Sequence, residues 1–157
     1  MEEIAAAADG SPSSVYRYFG TKEGIILADE FDSLTDEELS EALDPNDLIG
    51  AIRAVAARFE PPVAGEAGTA TFAQRRARYF FDEPSVRRAS YQSLANASAR
   101  LAPILATTGK LSSAEAYVAS SALVFGYFAA LEQWHQDPDA NPIGDTLTKA
   151  LDVLKQL

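Results

Sequence analysis

The run EEIAAAADGSPSSVYRYFGTKEGIIL, Glu2 to Leu27, reads as a helix, a tight turn, a second short helix ending in aromatics, and the start of a third. Gly10 is a stop signal, and Ser11 followed by Pro12 is an N-cap with proline at the first helical position. The same punctuation recurs outward from this run. Asp44-Pro45 repeats the cap device, while Thr35 with Glu38 and Ser112 with Glu115 have capping-box spacing. Further stops stand at Pro61-Pro62, Gly109 and Asp137-Pro138. Between them apolar residues recur at three and four, with no alternating pattern bounded by hairpin turns, so the chain reads as all-α. About eight helices are expected, over 2–8, 12–19, 22–43 with a break near Ser33, 46–60, 70–82, 84–107, 113–136 and 142–156. The segment Glu60 to Thr71, rich in Pro, Gly and Ala, reads as the long loop.

At 157 residues the chain is long enough to bury a sizeable core. With no cysteine and His135 as the single imidazole, neither a disulfide framework nor a Cys/His metal site is expected, and no cofactor is called for. No basic residue leads an apolar run at the start, so no signal peptide is read. The uncharged stretch Ala116 to Leu131 falls short of the roughly 20 apolar residues that span a bilayer, and it carries Ser120, Ser121 and Gly126. A soluble, cytoplasmic protein with no membrane partner is expected. The net charge of -10 argues against a general polyanion binder, so any DNA contact has to be local. Acidic residues crowd Asp29 to Asp47 without a base among them, and Arg53, Arg58, Arg75, Arg76, Arg78, Arg87, Arg88 and Arg100 collect in the middle. This reads as a solvated acidic face with arginines paired to it.

In the second helix Val15 and Phe19 lie four apart and face one side, while Ser13, Ser14, Arg17 and Tyr18 fall on the other. The outward set suits a helix in the major groove of DNA. Small hydroxyls near the N-terminus let the backbone approach base edges and phosphates, Arg17 can bond guanine bidentately, and tyrosine hydroxyls can reach phosphate oxygens. Lys22, opening the next helix, adds a phosphate contact. An ordinary helical hairpin with a polar face has the same composition.

The residue order is more specific. IAAAADGSPSSVYRYFGTKEGII resembles the helix-turn-helix of TetR-type one-component transcriptional regulators: Ile-Ala, a turn, Ser, then Ser, Val, Tyr, X, Tyr, Phe and a short Lys-containing link into a long helix. The resemblance covers about the first 27 residues. It implies Ser11, Ser13, Ser14, Arg17 and Tyr18 as the groove-facing set, Tyr16 and Lys22 as phosphate contacts, and Val15 and Phe19 as the core of the unit. Two departures stand out. Asp9 then Gly10 occupy the turn where the family has Gly then an aliphatic residue, so an apolar plug is missing at a cost of about 1 to 3 kcal/mol. Family members also carry a helix ahead of this point, so residues 1–27 are expected to form a partial helix-turn-helix lacking its first helix. Either a GTG valine codon was taken as the start of a longer natural protein, or the truncation is genuine.

Residues 28–157 resemble, in helix length and order, the ligand-binding and dimerisation domain of these regulators. The resemblance implies a homodimer through the last two long helices. The helix from Ser113 to Gln136 is apolar all round its middle, with small residues Ala119, Ala122, Gly126, Ala129 and Ala130 that allow close helix approach; a central helix of a monomeric bundle would read alike. Phe72, Tyr79, Phe80, Tyr91, Phe125 and Phe128, with Tyr127 and Trp134, are candidates to line a pocket, although aromatics at helical spacing also form plain core. Arg75, Arg76, Arg78, Arg87 and Arg88 can receive a carboxylate or phosphate at its mouth. The layout is similar to mycofactocin-type TetR regulators, which implies a small-molecule effector that is apolar or acyl-CoA-like. His135 reads as a surface residue near a helix C-terminus.

No Ser/His/Asp, Cys/His or glycine-rich phosphate motif is found, so an enzyme is not expected. The expected function is a TetR-type transcriptional regulator, in the repressing sense, that binds double-stranded operator DNA as a homodimer and is released by its effector. The alternative is a ligand-binding or dimerisation module whose DNA reader is disabled.

Overall fold

Serine and alanine along the two longest helices let them run side by side, and the other elements are arranged on that pair. The computed structural model describes residues 2–28, 34–44, 46–47, 49–50, 72–138 and 142–155. Among these residues there are eight α-helices and no strand: α1 (Glu2–Ala7), α2 (Pro12–Phe19), α3 (Lys22–Leu27), α4 (Asp36–Ala42), α5 (Phe72–Asp82), α6 (Pro84–Ala106), α7 (Ser113–Gln136) and α8 (Ile143–Asp152), the last running into a 3-10 turn over Val153–Lys155. The helices expected over 46–60 and the loop Glu60 to Thr71 lie largely or wholly outside the described residues.

Helix α7 packs on α5, α6 and α8. Where α6 and α7 meet, Ser98 and Ser120 are buried. The Ser120 hydroxyl donates to the Ser98 carbonyl at 2.9 Å, and the Ser98 hydroxyl to the Leu94 carbonyl at 2.9 Å. Both hydroxyls are therefore satisfied within the helix pair, and their burial carries no desolvation penalty for an unmade bond. The main apolar cluster sits toward the C-terminal half of α7. Ala73, Ala77 and Phe81 form one face of α5 at a spacing of four, and meet Phe128, Leu131 and Trp134 of α7 and Ile143 and Leu147 of α8.

Both capping boxes read from the sequence are formed, while the helix expected to start at Asp44-Pro45 falls largely outside the described residues. Thr35 and Glu38 close a full capping box (Thr35 N–H to Glu38 Oε2 2.8 Å, Glu38 N–H to Thr35 Oγ1 3.2 Å), and Ser112 and Glu115 close another (2.8 and 3.4 Å). The Thr35 backbone N–H holds the Glu38 carboxyl below its ordinary value, and the Ser112 hydroxyl does the same for Glu115. Depressed carboxyls stabilise above the usual glutamate range, and that contribution disappears as pH falls through it.

Two expectations change. The helix read over 22–43 is two helices: α3 ends at Leu27, Ala28 turns out of it with ψ 130, and the Thr35 box starts α4 afresh. The break thus opens five residues ahead of Ser33, where the open carbonyls of α3 find the Arg76 side chain as a partner. Helix α7, at 24 residues, is long and apolar enough to cross a membrane by length and composition. The uncharged count stopped at Glu115 and Glu132, but the helix continues beyond both. It buries Ala116, Ser120, Val124, Phe128, Ala130, Leu131 and Trp134 on one side and leaves much of the rest exposed.

Because Phe128 joins α5, α6 and α7, Phe128→Ala should lower unfolding free energy by about 3 to 5 kcal/mol. Urea unfolding followed by Trp134 emission measures it; a loss under about 1 kcal/mol would mean the cluster collapses around the gap.

Candidate nucleic-acid interface and sensor site

The turn between α1 and α2 is a Schellman closure. The Gly10 N–H donates to the Ala5 carbonyl at 2.8 Å and the Asp9 N–H to the Ala6 carbonyl at 3.4 Å. Asp9 sits at the left-handed position, with φ 49, where glycine has no steric cost. Gly10 then occupies the place from which an apolar side chain normally reaches back to the helix. A Cβ there would meet only the Ala5 and Ala8 carbonyl oxygens at 3.8 Å, an ordinary contact, so the position has room for the missing plug.

Helix α2 starts at Ser11, whose side chain accepts from the Ser14 N–H at 3.1 Å. Ser11 Oγ also lies 2.9 Å from Ser13 Oγ and 3.0 Å from Ser14 Oγ, so the three serines form one hydroxyl cluster at the helix N-terminus. Val15 is buried, as its core role requires. Phe19 and Ile4, at 41% and 42% exposure, are not. Tyr16, Arg17 and Tyr18 project outward, and the Arg17 guanidinium lies 5.1 Å from the centroid of the Tyr18 ring, which limits its freedom before any contact is made.

Gly20, with φ 69, ends α2, and its N–H donates to the Tyr16 carbonyl. Thr21 caps α3, accepting from the Gly24 N–H at 3.1 Å. A Cβ on Gly24 would overlap the Phe19 carbonyl oxygen, so glycine is what lets α3 approach the end of α2. Lys22 is exposed, with its ammonium 4.0 Å from Glu23. Glu23's own backbone N–H at the start of α3 lowers its carboxyl below the ordinary value, assisted by the Ser85 hydroxyl at the start of α6. Ser11, Ser13, Ser14, Tyr16, Arg17, Tyr18 and Lys22 thus all lie on the compact α2–α3 unit, and α3 rests on α6.

The sensor candidates divide. Phe80 of α5, Tyr91 of α6, and Phe125 and Phe128 of α7 form a run of ring contacts: Phe80 to Phe128 6.4 Å, Phe128 to Tyr91 5.9 Å, and Tyr91 stacked on Phe125 at 6.4 Å with planes 16° apart. Phe128 is buried, while Tyr91 and Phe125 are exposed at the outer end. Tyr79 stands apart on the solvent side of α5, 51% exposed. The side chain of Phe72 lies outside those described.

Two contributors were not read from the sequence. Phe81 lies 4.9 Å from Phe128, and its spacing of four and eight from Ala77 and Ala73 was the available signal. His135 is a correction: it stacks on Phe81 (5.4 Å, 26°) with Nε2 3.0 Å from Asp82 Oδ1, and its side chain is only 19% exposed. A pattern on α7 alone could not reveal a partner on α5. Of the arginines, Arg87 bonds Glu132 at 2.6 Å across α6 and α7, and its pKa is raised, first by the Tyr91 hydroxyl and then by Glu132. Arg100 bonds Asp36 at 2.9 Å and the Leu34 carbonyl at 2.6 Å, tying α4 to α6. Arg78 and Arg88 are exposed.

The outer face of α7 presents Ala114, Val118, Ala122, Phe125 and Ala129 to solvent at helical spacing, with Val118 68% exposed. Ala150 and Val153 after it are exposed as well. Comparison with known protein families gives two matches. The model for bacterial regulatory proteins of the tetR family matches residues 1–28, and that of the MftR C-terminal domain matches residues 46–157. No curated protein matches the chain.

The turn geometry predicts that Asp9→Gly raises the stability of the α1–α2 unit by about 0.5 kcal/mol, and Gly10→Val by about 1 kcal/mol. Hydrogen exchange of the amides in 2–19 measures both; unchanged protection in the Gly10→Val protein would show that the added side chain finds no apolar contact.

Proposed function

The chain belongs to the TetR family of bacterial regulatory proteins, and on that footing we propose that it binds operator DNA as a homodimer through α2 and is released by a small-molecule effector held among the sensor helices. The observation that carries the reading is the outward surface of α2. There the serine cluster, Tyr16, Arg17 and Tyr18 stand on a capped helix, with Lys22 at the start of the next. This is the equipment of a major-groove reader: one side chain able to bond a guanine edge and several donors for phosphate oxygens. The chain's overall negative charge leaves specificity to these few groups.

In this reading residues 1–27 read DNA, and 28–157 sense and dimerise. The second copy seats on the exposed stripe of α7 with Val153 beyond α8. An apolar face of that kind on a helix already buried on its other side suits a partner helix of the same composition. The effector enters the aromatic run of Phe80, Phe128, Tyr91 and Phe125. An apolar or acyl-CoA-like molecule is the chemistry such a lining accepts, and its binding lowers operator affinity. The protein acts in the cytoplasm, as a repressor.

A gel shift on duplex DNA from immediately upstream of the chain's own coding sequence tests this. Specific binding is expected. Arg17→Ala should weaken it by about 1 to 3 kcal/mol, and Lys22→Ala should weaken all sequences alike while lowering the salt slope by about 1. Sequence-independent loss in the Arg17→Ala protein would remove Arg17 from base reading. For the dimer, light scattering should show twice the chain mass, and Val118→Glu should yield the single-chain mass with the helical spectrum retained. A dimer that survives this substitution would place the interface elsewhere.

A further inference from the structure

Arg76 stands at the seam between the reading helices and the sensor. From α5 its guanidinium lies 5.3 Å from the centroid of the Phe80 ring, and it donates to the Ala28 carbonyl at 3.0 Å and the Leu27 carbonyl at 3.4 Å. Those carbonyls are the open C-terminal end of α3, where negative partial charge collects and no partner exists within the helix. A guanidinium answers both needs. Its plane can lie against a ring while its edge N–H groups bond carbonyls, so the two contacts do not compete. Phe80 in turn meets Phe128 (6.4 Å, 64°) and Phe81 (6.4 Å, 75°) edge to face. One side chain therefore joins the backbone end of a reading helix to the aromatic run of the sensor.

We propose that Arg76 and Phe80 form a release catch between sensor and reader. While the Phe80 ring is seated against Phe128, the guanidinium is held over it and fastens α3. A molecule that turns or displaces the Phe80 ring draws the guanidinium away from Leu27 and Ala28. The start of α3 has its own attachment, through Glu23 beside Ser85 and the packing on α6, so opening the catch frees the C-terminal end of α3 and leaves the unit docked. Arg76 is a positioning residue in this scheme and Phe80 the part that senses. That opening the catch changes DNA affinity rests on the regulator reading; the catch itself is measurable without DNA or effector.

Hydrogen exchange on the full chain tests it, comparing wild type with Arg76→Met, Phe80→Leu, the double variant and Phe80→Tyr. Each of the first two should speed exchange of the amides in 22–28 about fivefold, the loss of one charge-assisted bond or cation–π contact. The double variant should be no faster than the faster single, because each breaks the same link. Phe80→Tyr keeps the ring face and should keep wild-type protection. In Arg76→Met, exchange across 113–136 and Trp134 emission should stay as in wild type, which a general loosening would not allow. The proposal is overturned if Phe80→Leu leaves 22–28 at the wild-type rate, if the two effects multiply, if Arg76→Met loosens α7 equally, or if 22–28 is unprotected in wild type. A catch that behaves as described in a protein that binds no DNA would instead remove the regulator reading and leave the catch standing.

Discussion

Helix α7 is apolar around more of its circumference than one chain covers, and the architecture follows from that constraint. Its inner face takes Phe128, Leu131 and Trp134 into the cluster with α5 and α8, and its small residues let α6 lie close enough for Ser120 to bond across to Ser98. What remains is the outer stripe from Ala114 to Ala129, an exposed apolar face of the kind that marks an interaction surface. The same helix that makes the core thus also carries the exposed apolar face on which the proposed second copy would seat.

Helices α1 to α3 are an accessory to this frame rather than a unit with a core of their own. Val15 and Ala5 are the buried side chains of α1 to α3, so their placement depends on backbone closures: the Schellman turn at Asp9, the serine cap of α2, and the contact of Gly24 with the Phe19 carbonyl. Their link to the other helices runs through α3, held by packing on α6 and by the Arg76 side chain at its end. Few apolar contacts and several specific polar ones make this junction a place of low local stability, as the proposed catch requires.

Much of this was legible in the sequence because it is local. Ser11-Pro12, Thr35 with Glu38, and Ser112 with Glu115 carry their meaning within four residues, and all three caps are formed. The outward set of α2 likewise follows from helical spacing. What was not legible depends on distant partners. Nothing near Ala28 says that a guanidinium from α5 closes α3 there, so the break expected near Ser33 opens earlier, at Ala28. His135 looks like a surface residue until Phe81 is seen beneath it. Tyr79 and Phe80 are adjacent aromatics with the same sequence signature, and only the packing of α5 separates a solvent-facing ring from one in the aromatic run.

A two-fold dimer carrying two such helices has one geometric consequence that no other reading of this chain shares. Selection of bound duplexes from a random DNA pool by the purified protein tests it directly. The account predicts enrichment of a palindrome whose half-sites are centred about one helical turn apart, or a small multiple of it, so that both α2 helices meet the major groove on one face of the duplex. Enrichment of a single unrepeated site, or none at all, would contradict it.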